Sequence, residues 1–258
     1  MLGIAALACK GDDGDASGAA SSAGGAGVPA SVIAASSRPY REVAVPAPGA
    51  VRVRVKLDGD VPRDSAHRPP ADQQAACGTE VPADEITRQG DGLGDAVVWL
   101  PDVREGKALP VERRYELTIE RCRFEPHVQV AVAGGTLNLR ALDDAAHRTH
   151  FVRRGDGARL ADIATTEPLS VVPDEKVLKA PGQVEVTCAL HPWARAWLMT
   201  FDHPYAAAST PDGSARLDGV PPGRWRVVVW HERFGVREDT VVVEAGREAE
   251  LEVKLKAR

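Results

Sequence analysis

Long apolar runs are missing from this sequence, and no stretch is long enough to cross a bilayer as a helix in the mature chain. A surplus of basic residues is missing too. With 32 Lys and Arg against 37 Asp and Glu the formal net charge is -5, and no basic run stands out, which argues against a nucleic-acid partner. Apolar residues rarely recur at the 3.6-residue helical period, so helices should be few. Two catalytic signatures are incomplete. Trp230-His231-Glu232 lacks the second histidine of a zinc-protease helix, and the glycine-rich stretch around Gly24 and Gly25 lacks the lysine of a phosphate-binding loop.

What is present points to β-structure. The 24 Gly, 19 Pro and many short valine runs read as an all-β protein, and 258 residues with 43% hydrophobic content suit two compact units better than one. Residues 51–57 alternate strictly and stop at Asp58-Gly59-Asp60, and residues 95–100 read as a second strand. Residues 103–111 read as a linker. Strands follow over 115–120, 127–133, 136–142, 147–151, 183–187 and 196–201, with a less regular stretch up to 177. The tail carries four more, over 214–217, 224–230, 240–243 and 248–255, punctuated by Asp212-Gly213, Pro221-Pro222-Gly223 and Ala245-Gly246. The last alternates without a break and should be an outer strand with one wet face. Residues 10–37 are mostly Gly, Ala, Ser and Asp, which cannot repay the entropy of ordering, so a disordered segment is expected there.

The chemistry concentrates at Thr187-Cys188-Ala189-Leu190-His191-Pro192-Trp193-Ala194. A thiol and an imidazole at the end of a valine-alternating strand form a corner able to present two metal ligands. A second imidazole is available at His147. His150, three residues on, would face the other side of a strand, so His147 is the first choice and His150 its substitute. A Cys188–His191 nucleophilic dyad is disfavoured, because this spacing at a sandwich rim does not build a base with its own orienting group. His67, His127, His203 and His231 lack ligand spacing to another histidine or cysteine and read as ordinary structural residues.

His147 followed later by Cys188 and His191 beside the closing strand resembles the blue-copper cupredoxins, the plastocyanin-like family. Cys122-Arg123-Phe124-Glu125-Pro126-His127-Val128, the Gly134-Gly135 turn and Asp143, four residues before His147, add to the likeness, which covers residues 112–204. It implies a Greek-key β-sandwich, a mononuclear copper held by His147, Cys188 and His191, and electron transfer rather than enzymatic catalysis. The sequence departs from the family at three places. Ala194 stands where an axial methionine is usual, and Met199, about 16 Å further along an extended strand, does not replace it. Arg148 and Ala141 stand where asparagines brace the ligand loops. These departures imply a type 1-like site without its axial Met and with a raised potential. They also fit a second class, a metal-free binding or structural module at the cell envelope. Copper storage suits the chain less, since such proteins favour methionine-rich sites and there are 2 Met in all.

The flanks, residues 41–111 plus 205–258, resemble the two halves of a carboxypeptidase regulatory-like, transthyretin-like β-sandwich, with the cupredoxin-like domain inserted between them. Ala6-Leu7-Ala8-Cys9 resembles the lipobox of bacterial lipoproteins. It implies a signal remnant over residues 1–9, a lipid on Cys9 and a disordered tether over residues 10–40. The expected address is the periplasm-facing cell envelope, with contact to membrane through the lipid alone. A periplasmic redox protein such as a c-type cytochrome is the expected partner. With Cys9 and Cys188 so assigned, Cys77 and Cys122 remain as a disulfide, closing a loop of about 45 residues worth on the order of 4 kcal/mol.

Overall fold

The computed structural model describes Ile33 and residues 36–60, 65–83 and 86–257. Cys9 and most of the 10–40 tether lie outside the described residues. Before the cysteine-histidine domain the chain forms β1 (Arg41–Glu42), β2 (Gly49–Asp58), the short helix α1 (Gln74–Cys77), β3 (Arg88–Gln89), β4 (Gly92–Leu93), β5 (Val97–Trp99) and β6 (Glu105–Gly106). Nine strands follow: β7 (Arg114–Glu120), β8 (Arg123–Glu125), β9 (Val128–Val132), β10 (Thr136–Ala141), β11 (His147–Arg153), β12 (Arg159–Thr165), β13 (Val171–Asp174), β14 (Gly182–Cys188) and β15 (Arg195–Phe201). The tail adds β16 (Ala206–Ala208), β17 (Ser214–Val220), β18 (Gly223–His231), β19 (Gly235–Val243) and β20 (Glu248–Lys256).

The protein is all-β and builds two sandwiches, one inserted in the other. In the inserted sandwich the sheet β13-β10-β7-β8 packs on the sheet β12-β11-β14-β15-β9. Successive strands change sheet between β8 and β9 and again between β9 and β10, which is how a Greek-key sandwich wraps one core. Leu117 and Ile119, Leu137 and Leu139, Val184 and Val186, and Ala196 and Leu198 supply alternate inward positions to that core.

The outer sandwich is stitched from both ends of the chain. Its sheets are β16-β5-β18-β19 and β17-β2-β4-β3, with β20 parallel to β2 on the side away from β17. Val51, Val53, Val55 and Leu57 of β2 face this core, while Arg52 pairs outward with Glu248 of β20. The Asp212-Gly213 turn seats the returning chain. Gly213 has φ +84° and its carbonyl accepts from the Val55 N–H at 2.8 Å, and a Cβ there would lie 2.1 Å from the Val55 oxygen, so only glycine fits.

A third apolar layer joins the two sandwiches. Val98, Val227 and Val229 face the outer core, whereas Val97, Trp99, Val228 and Trp230 face the inserted sandwich and meet Val128, Trp197, Met199 and Phe201. Strands buried on both faces read as continuous apolar runs, which explains Val97-Val98-Trp99 and Val227-Val228-Val229-Trp230. Each large side chain fully buried in this layer contributes roughly 1.5–3 kcal/mol.

Two expectations need correction. Residues 103–111 are not merely a linker: Val103 is fully buried, and Glu105–Gly106 pairs in parallel with Arg41–Glu42. The stretch before Val177 is also more regular than its sequence suggests, since β12 pairs with β11 and β13 with β10. Both are edge strands with mostly wet side chains, so they carry little of the alternation that marks a strand in sequence.

Candidate metal centre

The site forms where two inward-facing columns of side chains reach the end of the core. On β14, Val184, Val186 and Cys188 occupy alternate inward positions. On β11 the inward set is His147, Thr149 and Phe151, all buried. Register places Thr149 opposite Cys188, which brings His147 beyond the end of β14, over the loop that follows it. That loop is closed by its own backbone: Ala194 N–H donates to the His191 carbonyl at 2.9 Å and Cys188 N–H to the Ala194 carbonyl at 3.3 Å. His191 is thereby turned back over the sulfur.

Three donor atoms converge. His147 Nδ1 lies 3.1 Å from His191 Nδ1, and Cys188 Sγ lies 3.9 Å from the former and 3.4 Å from the latter. A triangle with these edges has its corners about 2.0 Å from one point, against about 2.0–2.1 Å for a metal–imidazole bond and about 2.3 Å for a metal–thiolate bond. Both histidines are 1% exposed and Cys188 is 3% exposed. His150 is not brought in. It faces the other side of β11, 3.6 Å from Asp162, where Arg148 and Arg159 also gather. Met199 likewise points away, into the layer between the sandwiches, and the buried Ala194 methyl group stands beside the loop instead.

The bracing differs from the expected pair of asparagines. Asp143 Oδ1 accepts from His147 Nε2 at 2.6 Å, while its Oδ2 accepts the Cys122 backbone N–H at 2.8 Å. With Nε2 held by a carboxylate, Nδ1 is the nitrogen turned to the centre, where a bound metal would take the place of its proton. Arg148 contributes through its backbone: its carbonyl accepts from Ala189 N–H at 2.9 Å and its N–H faces the Cys188 sulfur. Any residue but proline can supply those groups, so an arginine there costs the ligand loop nothing. The sequence marked Asp143, four residues before His147, as part of the cupredoxin likeness but not as a brace, because a carboxylate at that spacing in a loop does not by itself say which way it points.

Electrostatics favour a thiolate. Burial pushes the Cys188 thiol up, but His147, His191 and the backbone N–H groups of Arg148 and Leu190 outweigh it and bring its pKa down to about 5. For His147, burial acts to lower the pKa, and the hydrogen bonds to Asp143 and Cys188 outweigh it, giving about 9. Asp143 is also raised by burial, yet His147 and the Cys122 N–H bring it below its ordinary value.

Part of the chain is similar to solved cupredoxins. Amicyanin from Paracoccus versutus matches at 15% identity over 36% of this chain and 84% of that one, with a TM-score of 0.29. A purple cupredoxin from Nitrosopumilus maritimus matches at 14% identity over 33% of this chain and 98% of that one, with a TM-score of 0.28. The Cu-containing nitrite reductase from Thermus scotoductus matches at 19% identity over 37% of this chain and 24% of that one, with a TM-score of 0.29. No protein-family model matches the chain, and no curated protein matches it.

The outer sandwich also reaches the site. Cys77, at the end of α1, is disulfide-bonded to Cys122 in the β7–β8 turn. The Trp193 indole N–H donates to the Cys122 carbonyl at 3.1 Å, and the Trp193 ring lies against both His191 and His67, tilted to the first and stacked with the second, with centroids 5.4 and 6.1 Å away. A groove of about 400 Å³, whose lining includes Ala75, Ala76, Ala145 and Leu190, opens at His191. The other histidines serve the frame: His203 and His231 are buried, and burial lowers each pKa to about 4.

Proposed function

We propose that this protein is a one-electron carrier holding a mononuclear copper through His147, Cys188 and His191. The observation that carries this reading is the buried convergence of one thiol and two imidazole nitrogens around a common point at metal-bond distance. One thiolate and two imidazoles form the donor set of a type 1-like copper site, and copper bound there would supply reversible exchange of one electron. The side chains do the rest. Asp143 holds the His147 ring in one tautomer, the Ala189 N–H to Arg148 carbonyl bond holds the loop, and Phe151 and Thr149 keep the inner side dry. His191 lines the groove and is the ligand through which an electron would leave. A site held by His147, Cys188 and His191 without a thioether, since Ala194 stands where methionine is usual in the resembling family, would favour the reduced metal and a raised potential.

The reading extends to a non-enzymatic role at the cell envelope, with a lipid on Cys9, a periplasmic redox protein such as a c-type cytochrome as partner, and a carboxypeptidase regulatory-like outer sandwich. The Cys77–Cys122 disulfide supports an oxidising address. Titration of the purified protein with Cu(II) is expected to give one equivalent of uptake and an intense visible charge-transfer band that disappears in Cys188→Ala. Absence of both uptake and band would overturn the copper reading in favour of a metal-free scaffold, the alternative that Ala194 supports.

A further inference from the structure

His191 belongs to two clusters. Besides meeting Cys188 and His147, it has a ring nitrogen that lies with Cys77 Sγ and Cys122 Sγ in a group whose donor atoms are all within 4.8 Å of one another, and all three residues are buried. While the two sulfurs are bonded to each other they offer a metal nothing. We propose that reduction of the Cys77–Cys122 disulfide creates a second metal site, two thiolates and one imidazole, which takes a soft d10 cation such as Zn(II) or Cu(I) and competes with the first site for His191.

The geometry supports this because both cysteine backbones are held by contacts that do not depend on the disulfide. Cys122 is fixed from two sides, its N–H by Asp143 and its carbonyl by the Trp193 indole. The segment carrying Cys77 is closed by two backbone hydrogen bonds between His67 and Val81, both 2.8 Å, and His67 stacks on Trp193. Reduction therefore leaves two thiols facing the same imidazole rather than a loose loop. Their Cα atoms are 5.1 Å apart. Side-chain rotation at that separation lets the sulfurs spread to the roughly 3.8 Å that two metal–sulfur bonds of about 2.3 Å span at a tetrahedral centre. The groove reaches His191 and Ala76, the chain neighbour of Cys77.

The chemistry balances with a dithiol as reductant. Two electrons and two protons pass to the protein sulfurs, giving two thiols, while the dithiol closes to its own disulfide. A divalent cation then displaces both thiol protons to solvent, and His191 donates as a neutral ring. Two thiolates and an imidazole select a soft or borderline metal over Mg(II) or Ca(II).

The test uses the full chain carrying Cys188→Ser, so that the first site lacks its thiolate and a failure of the copper proposal cannot influence the outcome. Co(II) added to the oxidised variant is expected to give no thiolate band. After reduction and removal of the reductant it should give one equivalent of binding with a thiolate-to-metal band, which the further change Cys122→Ser removes and His191→Ala weakens at least about 10-fold. Alkylation followed by mass spectrometry provides a second measurement in the unsubstituted cysteine pair: Zn(II) should protect both Cys77 and Cys122 in the reduced variant. Equal alkylation with and without Zn(II), or a Co(II) band that survives Cys122→Ser, would overturn the proposal.

Discussion

Two partly buried histidine–carboxylate pairs use the same chemistry for different ends. At the metal corner Asp143 holds His147 Nε2, and the other ring nitrogen meets His191 and Cys188. Between the sandwiches Glu232 accepts from His127 Nε2 with one oxygen and from the Trp197 indole N–H with the other, surrounded by Trp230 and other apolar side chains. His127 and Trp197 belong to the inserted sandwich, and Glu232 follows β18 of the outer one, so this pair pins one sandwich to the other. A carboxylate orients an imidazole in both places. Whether the result is a ligand or a pin depends on what converges on the far side of the ring.

The comparison can be broken most strongly at the pin. Glu232→Leu removes the acceptor shared by His127 and Trp197 and is expected to lower the unfolding free energy by about 1–3 kcal/mol in denaturant titrations, while copper uptake stays unchanged. A loss below about 1 kcal/mol would show that Glu232 does not hold the sandwiches together.

Acid should act in the same direction. Burial raises the Glu232 pKa, but His127 and Trp197 outweigh it and hold it near 2, below its ordinary 4.5; burial takes His231 from 6.5 to about 4. Both folded-state values are depressed, so the unfolded chain binds protons first and stability falls as pH falls. The His231 contribution is lost from about pH 6.5 down to 4 and the Glu232 contribution from about 4.5 down to 2, each on the order of 3 kcal/mol at most. A denaturation midpoint that stays flat from about pH 7 to 3 would contradict this.

At the corner the effect should appear in metal affinity. Asp143→Asn keeps the shape of the brace but removes its charge and is expected to weaken copper binding about 10–100-fold, measured by competition with a chelator. The smallest effect is expected from His150→Ala. Its ring faces Asp162 away from the site, so stability should change by about 1 kcal/mol or less and the copper band should be unaltered. A lost band in His150→Ala would reverse the roles of the two histidines on β11.

Much of the frame was legible because strands announce themselves locally. The strict alternation of Val51, Val53, Val55 and Leu57 marks β2, and that of the last strand marks β20, whose one-sided burial follows its pattern. Edge strands β12 and β13 were not legible, since half-wet strands have no contrast to display. The disulfide between Cys77 and Cys122 followed from assigning the other two cysteines. The pin was invisible for a different reason: Glu232 is 105 residues from His127 and 35 from Trp197, and no local pattern links them.

The sequence by itself determined the periodicities, the turn glycines and the short Cys188–His191 spacing, because these depend on residues that are neighbours along the chain. Strand parity in the sequence already set His147 and His150 on opposite faces and favoured His147; the tertiary structure alone decided that Asp143 supplies the brace and that Cys77 arrives from the outer sandwich to within reach of His191. The physical reason is register. Which side chains share a buried point depends on how strands align across a sheet and how sheets stack, and those alignments are set by long-range packing.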